Sequence, residues 1–462
     1  LDKNSLKMNN KTTNSVPGIV IPDSKSEFIR ALIMGGLIAK LTKREFTITY
    51  HTELCSDVQA AIRAVQSLGT SVIVDPMHRV VHIDACKDNA SNEIYCGESA
   101  TILRMFRGLD CTGCLPGNPS SVHFIKTGTL QNRQLSVPHQ PTLGSLKSFY
   151  ELVDNEFGCA YHSLNSSTSS QDISGIMIGM FYRIARFFLH EQAVLSKPLK
   201  STKITFSIEN PVSMPYLDLT LDMCQEFFGI TFTKSIEANL TRTRLEIVIN
   251  LHEPSLINHY EVHGCYSSVA PLLVTSIITG RRFIGYNLPR NDAPDQEILR
   301  LPELSHIDVS EPTISGVQFI PRQSKPVNKF VEFDLNVCPD LFPYLCLYGA
   351  YVNPIFISNT NRLTNKETNR LLEMQKVFST FDHNIKELED GMVFIKPTKL
   401  LKINNRIIQL PNDHRIAQVI QIILNLHRLN GIISLYSTLT IEEVCAKSNP
   451  TFVKDLNKLF YE

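Results

Sequence analysis

Residues 22–32 read Pro22-Asp23-Ser24-Lys25-Ser26-Glu27-Phe28-Ile29-Arg30-Ala31-Leu32, hydroxyls and cations gathered where a strand gives way to a helix. Upstream, Ile19 to Ile21 is a short apolar run suited to a strand, and Pro22 ends it. Ser24 or Ser26 then caps a helix predicted to run through Leu37. Lys25 lies in the first turn and Arg30 follows five residues later, about 500° of rotation at 3.6 residues per turn, so the two leave on different faces. The length of the arginine still lets both reach a ligand at the helix start. Unsatisfied N–H groups, serine hydroxyls, a lysine and an arginine together make an anion site.

The same signal recurs. Ser or Asp after an extended run, followed by an apolar helical pattern, appears at Ser26, Ser99, Ser170, Ser267, Asp340 and Asp413, with spacings of 73, 71, 97, 73 and 73 residues. A second helix is expected after each: Asp57 to Leu68, Thr142 to Val153, Pro215 to Phe228, Pro294 to Leu301, Glu367 to Phe378 and Asn449 to Leu459. Six units of alternating strand and helix give an α/β protein that divides three and three. The surplus in the 97-residue spacing falls near Leu189 to Lys203 as an enlarged loop, and Pro254 to Asn258 is the candidate crossing between domains. Ile173 to Phe187, Val269 to Ile278 and Ile416 to Leu426 are apolar on most faces and belong inside their domains.

Composition narrows the function. At 462 residues two domains are expected. Lys plus Arg equals Asp plus Glu at 45 each, which argues against non-specific binding to nucleic acid or an anionic membrane, so local cation clusters read as pockets. Eleven scattered cysteines suit a reducing compartment, the cytoplasm, and Cys111-Thr-Gly-Cys114 reads as ordinary loop thiols in place of a metal or redox pair. The longest apolar stretch is too short to span a bilayer. The chain opens on Leu1 with a polar, Asn- and Lys-rich tail, leaving room for a targeting segment or fused pathway domains upstream.

Several unit starts carry anion-binding sets: Glu98, Ser99, Thr101 and Arg104; Ser169, Ser170 and Gln171; Asp413, His414 and Arg415. Arg133, Lys366, Arg370 and Lys447 add cations in other loops. The stretches at 24–30 (SKSEFIR), 56–58 (SDV), 97–104 (GESATILR), 132–133 (NR), 169–171 (SSQ) and 213–221 (SMPYLDLTL) resemble the 5-enolpyruvylshikimate-3-phosphate (EPSP) synthase family. So do those at 336–340 (NVCPD), 365–371 (NKETNRL), 413–417 (DHRIA) and 446–450 (AKSNP), all in family order.

That resemblance implies two similar globular domains, each of three βαβαββ repeats around buried helices. Residues 1–21 with 259–462 would form one domain and 22–258 the other, with the site in the cleft between them. It implies transfer of the enolpyruvyl group of phosphoenolpyruvate to the 5-hydroxyl of shikimate 3-phosphate, with release of phosphate, in the shikimate pathway to chorismate and aromatic amino acids. No metal or organic cofactor takes part in the family reaction. Lys25, Ser26, Arg30, Ser169, Ser170, Gln171, Ser213, Tyr216, Asp340 and Lys366 would surround shikimate 3-phosphate; Lys25, Ala100, Arg133, Gln171, Arg370, Arg415 and Lys447 would surround phosphoenolpyruvate. Asp340 and Glu367 are the acid and base candidates, with Lys25 and Lys366 beside them. Small-molecule substrates are the expected partners, of a monomer or of one part of a multifunctional chain.

The departures are specific. Glu98 stands where the family usually has Asn, Ala100 where it has Gly, Thr364 for Arg and Asn369 for Asp, and His263-Gly-Cys-Tyr266 replaces an acidic turn. Ala100 leads to an expectation of glyphosate tolerance. Two alternative readings stand beside this: a sister transferase acting on a UDP-amino sugar, which would want Asn after the first lysine, where Ser26 stands, and a substrate-shifted anion-binding relative, suggested by Glu98, Thr364 and Asn369.

Overall fold

The computed structural model describes residues 16–115, 122–133, 159–165, 170–191, 202–238, 243–287, 289–290, 293–301, 307–309, 317–321, 331–364, 366–398, 407–427 and 434–461. One sheet pattern repeats four times: a parallel pair whose second strand is followed by two antiparallel neighbours. It is built on Phe46–Thr49, on Lys203–Glu209, on Phe283–Tyr286 and on Ile355–Ser358, each the second strand in its sheet. Two further parallel pairs, Glu93–Gly97 with His123–Lys126 and Ile407–Gln409 with Ser434–Tyr436, open the remaining units. Among the described residues six sheets thus match the six units expected from the spacing of helix starts.

Six helices start these units: α1 (Lys25–Thr42), α2 (Ala100–Cys111), α3 (Ser170–Arg186), α4 (Tyr266–Thr279), α5 (Phe342–Tyr351) and α6 (His414–Leu426). α1, α3, α5 and α6 are buried along nearly their whole length, because their sequences are apolar all round. The apolar side chains form two separate cores. One holds α1 to α3 and runs from Phe28 to Val262; the other holds α4 to α6 and combines Ile19 and Ile21 with residues from Val269 to Phe460.

The two cores exchange strands. Gly18–Val20 precedes α1 but pairs with Phe283–Tyr286 in the second body, while His259–Glu261 precedes α4 but pairs with Phe46–Thr49 in the first. Each crossing therefore falls between the first strand and the first helix of a unit. The second lies after Val262, not at Pro254–Asn258, because Tyr260 and Val262 are packed in the first core. The two crossing segments run side by side: the Ser24 amide donates to the His263 carbonyl at 2.7 Å, and Asp23 bridges to Gly264. A Cβ on Gly264 would meet the Asn287 carbonyl at 2.1 Å, so only glycine fits there.

Second helices form at Ser56–Gln66, Met214–Phe228, Arg370–Thr380 and Phe452–Tyr461, close to expectation. The helix expected at Pro294–Leu301 opens instead as a short 3-10 turn, Gln296–Leu299, and is α-helical only at Arg300 and Leu301, because Asp295 takes a left-handed backbone (φ 67°, ψ 13°) that no α-helix accommodates. The helix expected at Thr142–Val153 and the loop surplus around 192–201 lie outside the described residues.

α2 and α3 cross at contact distance through glycine. A Cβ on Gly175 would lie 2.1 Å from the Met105 carbonyl oxygen, and one on Gly108 would lie 2.3 Å from that of Asp172. Both obstacles are backbone, so the helices must separate to admit a methyl group. Gly175→Ala is expected to lower unfolding free energy by about 1–3 kcal/mol or more through overpacking. Urea denaturation checks this, and an unchanged midpoint would contradict the close crossing.

Candidate active site in the cleft between the bodies

The starts of all six helices meet at one cavity of about 550 Å³. Its wall takes Ser24, Lys25 and Ser26 from α1; Ser99, Ala100 and Thr101 from α2; Ser170 and Gln171 from α3; and Cys265, Ser267 and Ser268 from α4. Pro339 and Asp340 come from the turn before α5, and Arg415 and Gln418 from α6. Each helix N-terminus carries about half a positive charge, so six aimed at one space make it anion-seeking before any side chain is counted. Ser24 caps α1 by accepting from the Glu27 amide at 3.3 Å, and Asp413 caps α6 by accepting from the Arg415 amide at 3.0 Å.

Carboxylates and cations interlock behind this surface. Asp340 accepts from Lys366 at 3.3 Å and Arg370 at 3.0 Å on Oδ1, and from Arg415 at 2.9 Å on Oδ2. Arg370, 1% exposed, also donates to Glu367 at 2.6 Å and Asp413 at 2.9 Å. Burial alone would raise Asp340, but Arg415, Lys366 and Arg370 outweigh it and hold the carboxyl well below the usual range. Burial likewise opposes the ionised Glu367, and Arg370, His414 and Lys447 overcome it and hold that group low. Burial lowers Lys366 from the ordinary lysine range, with Asp340 opposing. On the opposite wall Lys25 pairs with Asp57 at 2.9 Å; burial disfavours its charge, yet Asp57 and Glu367 leave it raised.

Most of the expected site residues reach the cavity: Lys25, Ser26, Ala100, Arg133, Ser170, Gln171, Ser213, Tyr216, Asp340, Lys366, Glu367 and Arg415 all line it. Arg30, Arg370 and Lys447 are not on its wall. Arg30 is spent beneath the floor, donating to Thr220 Oγ1 at 2.8 Å and to the carbonyls of Ser26 at 2.7 Å and Tyr216 at 3.0 Å. Lys447 sits buried with its Nζ 3.6 Å from Glu98 Oε2, so the carboxylate that replaces the family's Asn meets a cation from the other body. Ser169 lies outside the described residues. Cys114 is packed against Thr112 and Gly179, and both it and Cys111 are unpaired thiols.

Three wall residues had no assigned role in the sequence. Arg362 donates to Ser213 Oγ at 3.0 Å and to the Asn336 carbonyl at 2.9 Å; Asp295 accepts from Tyr216 OH at 2.9 Å; Arg104 donates to Gln171 Oε1 at 3.2 Å. Arg104 was legible as part of an anion set, but Asp295 read only as part of the helix expected at Pro294–Leu301, and a lone Arg362 gave no signal.

A six-unit, two-bodied α/β fold closing on an anion-seeking cleft defines an enolpyruvyl transferase. The chain shares its fold with EPSP synthase from Acinetobacter baumannii (TM-score 0.61, 18% identity, 96% of this chain and 97% of that one). It shares it too with the enolpyruvyl transferase NikO from Streptomyces tendae (TM-score 0.53, 15% identity, 97% and 95%). The family model described as EPSP synthase (3-phosphoshikimate 1-carboxyvinyltransferase) matches residues 11–456, and the chain belongs to that family. Its relatives named 3-phosphoshikimate 1-carboxyvinyltransferase include those of Nitrosopumilus maritimus, 26% identical over 452 residues (96% of this chain, 95% of theirs), and Clostridium novyi, 27% over 466 residues (96% and 94%).

Behind the wall, Asp172 lies between Arg104 at 3.9 Å and Arg107 at 3.7 Å, and burial nonetheless pushes it up to about 6. A carboxyl raised by folding contributes stability that is complete below the unfolded value near 3.8 and is lost as pH rises through about 6. Asp172→Asn has no such slope. The variant is therefore expected to be more destabilised relative to the parent at pH 4 than at pH 7.5, by about 2–3 kcal/mol. Denaturant titration at both values tests this; equal differences would place Asp172 in a water-like environment.

Proposed function

We propose that this chain transfers the enolpyruvyl group of phosphoenolpyruvate to the 5-hydroxyl of shikimate 3-phosphate, releasing phosphate on the route to chorismate. The observation that carries the reading is the meeting of six helix N-termini with Lys25, Arg133, Arg362, Lys366 and Arg415 around a cavity that also holds two reactive-type carboxylates, Asp340 and Glu367. The two substrates bring phosphates and carboxylates that repel one another, and guanidinium and ammonium groups in a closed site neutralise that charge. Ser170, Ser213, Gln171 and Tyr216 border the acceptor side, while Arg133, Arg415 and Ala100 border the enolpyruvyl donor. A UDP-amino sugar acceptor is disfavoured by Ser26 at the position after Lys25.

The chemistry follows from this geometry. The acceptor hydroxyl oxygen bonds to C2 of phosphoenolpyruvate and gives up its proton, while C3 takes a proton and becomes methyl. Loss of the phosphate from C2 and of a proton from that methyl then restores the double bond. Asp340 and Glu367 are the groups placed to take and give these protons, with Lys366 beside both. Without substrate both carboxyls are held well below the usual range, Asp340 by Arg415, Lys366 and Arg370, and Glu367 by Arg370, His414 and Lys447. Anionic substrate oxygens arriving on those cations weaken that hold and move the carboxyls toward a working range. The unpaired thiols fit a reducing compartment such as the cytoplasm.

Phosphate release from the purified chain with phosphoenolpyruvate and either shikimate 3-phosphate or UDP-N-acetylglucosamine tests the assignment; turnover with the sugar nucleotide alone would sink it. Asp340→Asn and Glu367→Gln keep shape but not proton transfer, and each is expected to lower kcat by about 10²-fold or more. Near-normal turnover in both would refute their roles.

Ala100 places a methyl group on the donor wall where the family usually has none. Glyphosate, longer than phosphoenolpyruvate, is expected to bind about 5- to 150-fold more weakly than to an Ala100→Gly variant, the range of ordinary overpacking. Inhibition curves of the two forms decide this, with KM for phosphoenolpyruvate changing much less.

A further inference from the structure

The segment that starts helix Met214–Phe228 reaches across the cleft to the second body by three bonds. The Ser213 amide donates to the Asn336 carbonyl at 3.0 Å, Arg362 donates to Ser213 Oγ at 3.0 Å, and Tyr216 OH donates to Asp295 Oδ2 at 2.9 Å. Asp295 is 2% exposed and lines the cavity, yet its Oδ1 has no hydrogen-bond partner among the described residues. A buried acceptor left unmade is costly, and it sits on a left-handed backbone that few residues tolerate.

The other wall carboxylates are engaged. Both Asp340 oxygens receive cations, Asp57 holds Lys25, and Glu98 accepts from Thr129 at 3.0 Å. An ionised carboxylate only accepts hydrogen bonds. The phosphates and carboxylates of the two substrates offer it nothing but repulsion, so the group it can receive is a substrate hydroxyl. Shikimate 3-phosphate carries two. The reacting 5-hydroxyl must face Asp340, Glu367 and Lys366, which leaves the 4-hydroxyl.

We propose that Asp295 contacts the acceptor substrate directly, its Oδ1 receiving the 4-hydroxyl proton while its Oδ2 keeps Tyr216 bound across the cleft. This rests on shikimate 3-phosphate being the acceptor. The contact makes Asp295 a specificity-determining residue, because an acceptor lacking that hydroxyl leaves the oxygen buried and unmet. It also ties acceptor recognition to cleft closure, since one carboxylate serves the ligand and the other body together.

Titration gives a second readout. Burial and the neighbouring Asp340 push Asp295 up to about 6, against Arg415, Lys366 and the Tyr216 hydrogen bond, which favour its charge. Below that pH the protonated carboxyl accepts poorly, so acceptor affinity is expected to fall as pH drops through about 6. The substrate phosphate titrates nearby, but identically for every variant.

Asp295→Asn is the informative change, because Asn tolerates the left-handed backbone and its amide oxygen still receives Tyr216. Calorimetric binding and kinetics are expected to show affinity for shikimate 3-phosphate reduced about 10- to 100-fold, KM for phosphoenolpyruvate within about threefold, and the acidic limb lost. 4-Deoxyshikimate 3-phosphate is expected to bind the parent more weakly by a similar factor and the variant no worse than the natural acceptor. Acceptor affinity within about threefold of the parent, or an equal penalty for the deoxy analogue in both proteins, overturns the contact. Tyr216→Phe removes the bridge alone; if it erases discrimination against the deoxy analogue as Asp295→Asn does, the residue is only a bridge and the proposal fails. Should Asp295→Asn not fold, judged by its melting midpoint, Asp295→Gly takes the same backbone and is read by the same outcomes. A parent that binds shikimate 3-phosphate but releases no phosphate refutes the activity without touching the contact, and one that does not bind it refutes both.

Discussion

Like charges have to be gathered in a buried place, and the architecture is arranged around making that tolerable. Six helix starts and a set of lysines and arginines converge on one cavity, and a protein without bound anions would not hold them there without counter-charges. Asp340, Glu367, Asp413 and Asp57 supply these. Arg370 is the extreme case, a guanidinium with three carboxylate partners and almost no contact with water. Removing Arg370 itself would leave buried Asp413 without its cation, and breaking a buried pair in that way typically costs about 3–5 kcal/mol. The same pairs hold the carboxyls of Asp340 and Glu367 well below the usual range, so each charge in the cluster keeps its neighbours ionised.

The opening stretch was legible because its physics is local. A strand end, a proline and a serine cap define a helix start wherever they occur, and six repetitions gave the unit count, the α/β class and the positions of most wall residues. Non-local effects were not legible. Arg30 looks in sequence like Lys25's companion at an anion site, but only the packed helices reveal that Thr220 and two carbonyls consume its donors. The second crossing was placed at a Pro-containing polar segment because composition marks loops. What moves it beyond Val262 is the pairing of His259–Glu261 with a strand more than two hundred residues earlier. Asp295 interrupts an expected helix with a backbone angle that its neighbours in sequence do not announce.

The departures from the family pattern also look different in three dimensions. Glu98, which stands where the family usually has Asn, has its carboxylate facing Lys447 from the opposite body and the Thr129 hydroxyl. At the start of α4, within and just after the departing stretch His263-Gly-Cys-Tyr266, the cavity wall is lined by Cys265, Ser267 and Ser268.

The exchanged strands have a consequence for the order in which the molecule can be made. Gly18–Val20 leaves the ribosome more than two hundred and fifty residues before its partner Phe283–Tyr286. At synthesis rates of about 5–20 residues per second that is a wait on the order of tens of seconds. The first body also lacks one sheet strand until His259–Glu261 emerges. Neither body is therefore a contiguous stretch that finishes alone, and the last residues to complete the first body are followed at once by those that begin the second. A nascent chain of this topology carries an unmatched strand until the second body is reached, which makes it a poor candidate for division into independently produced halves.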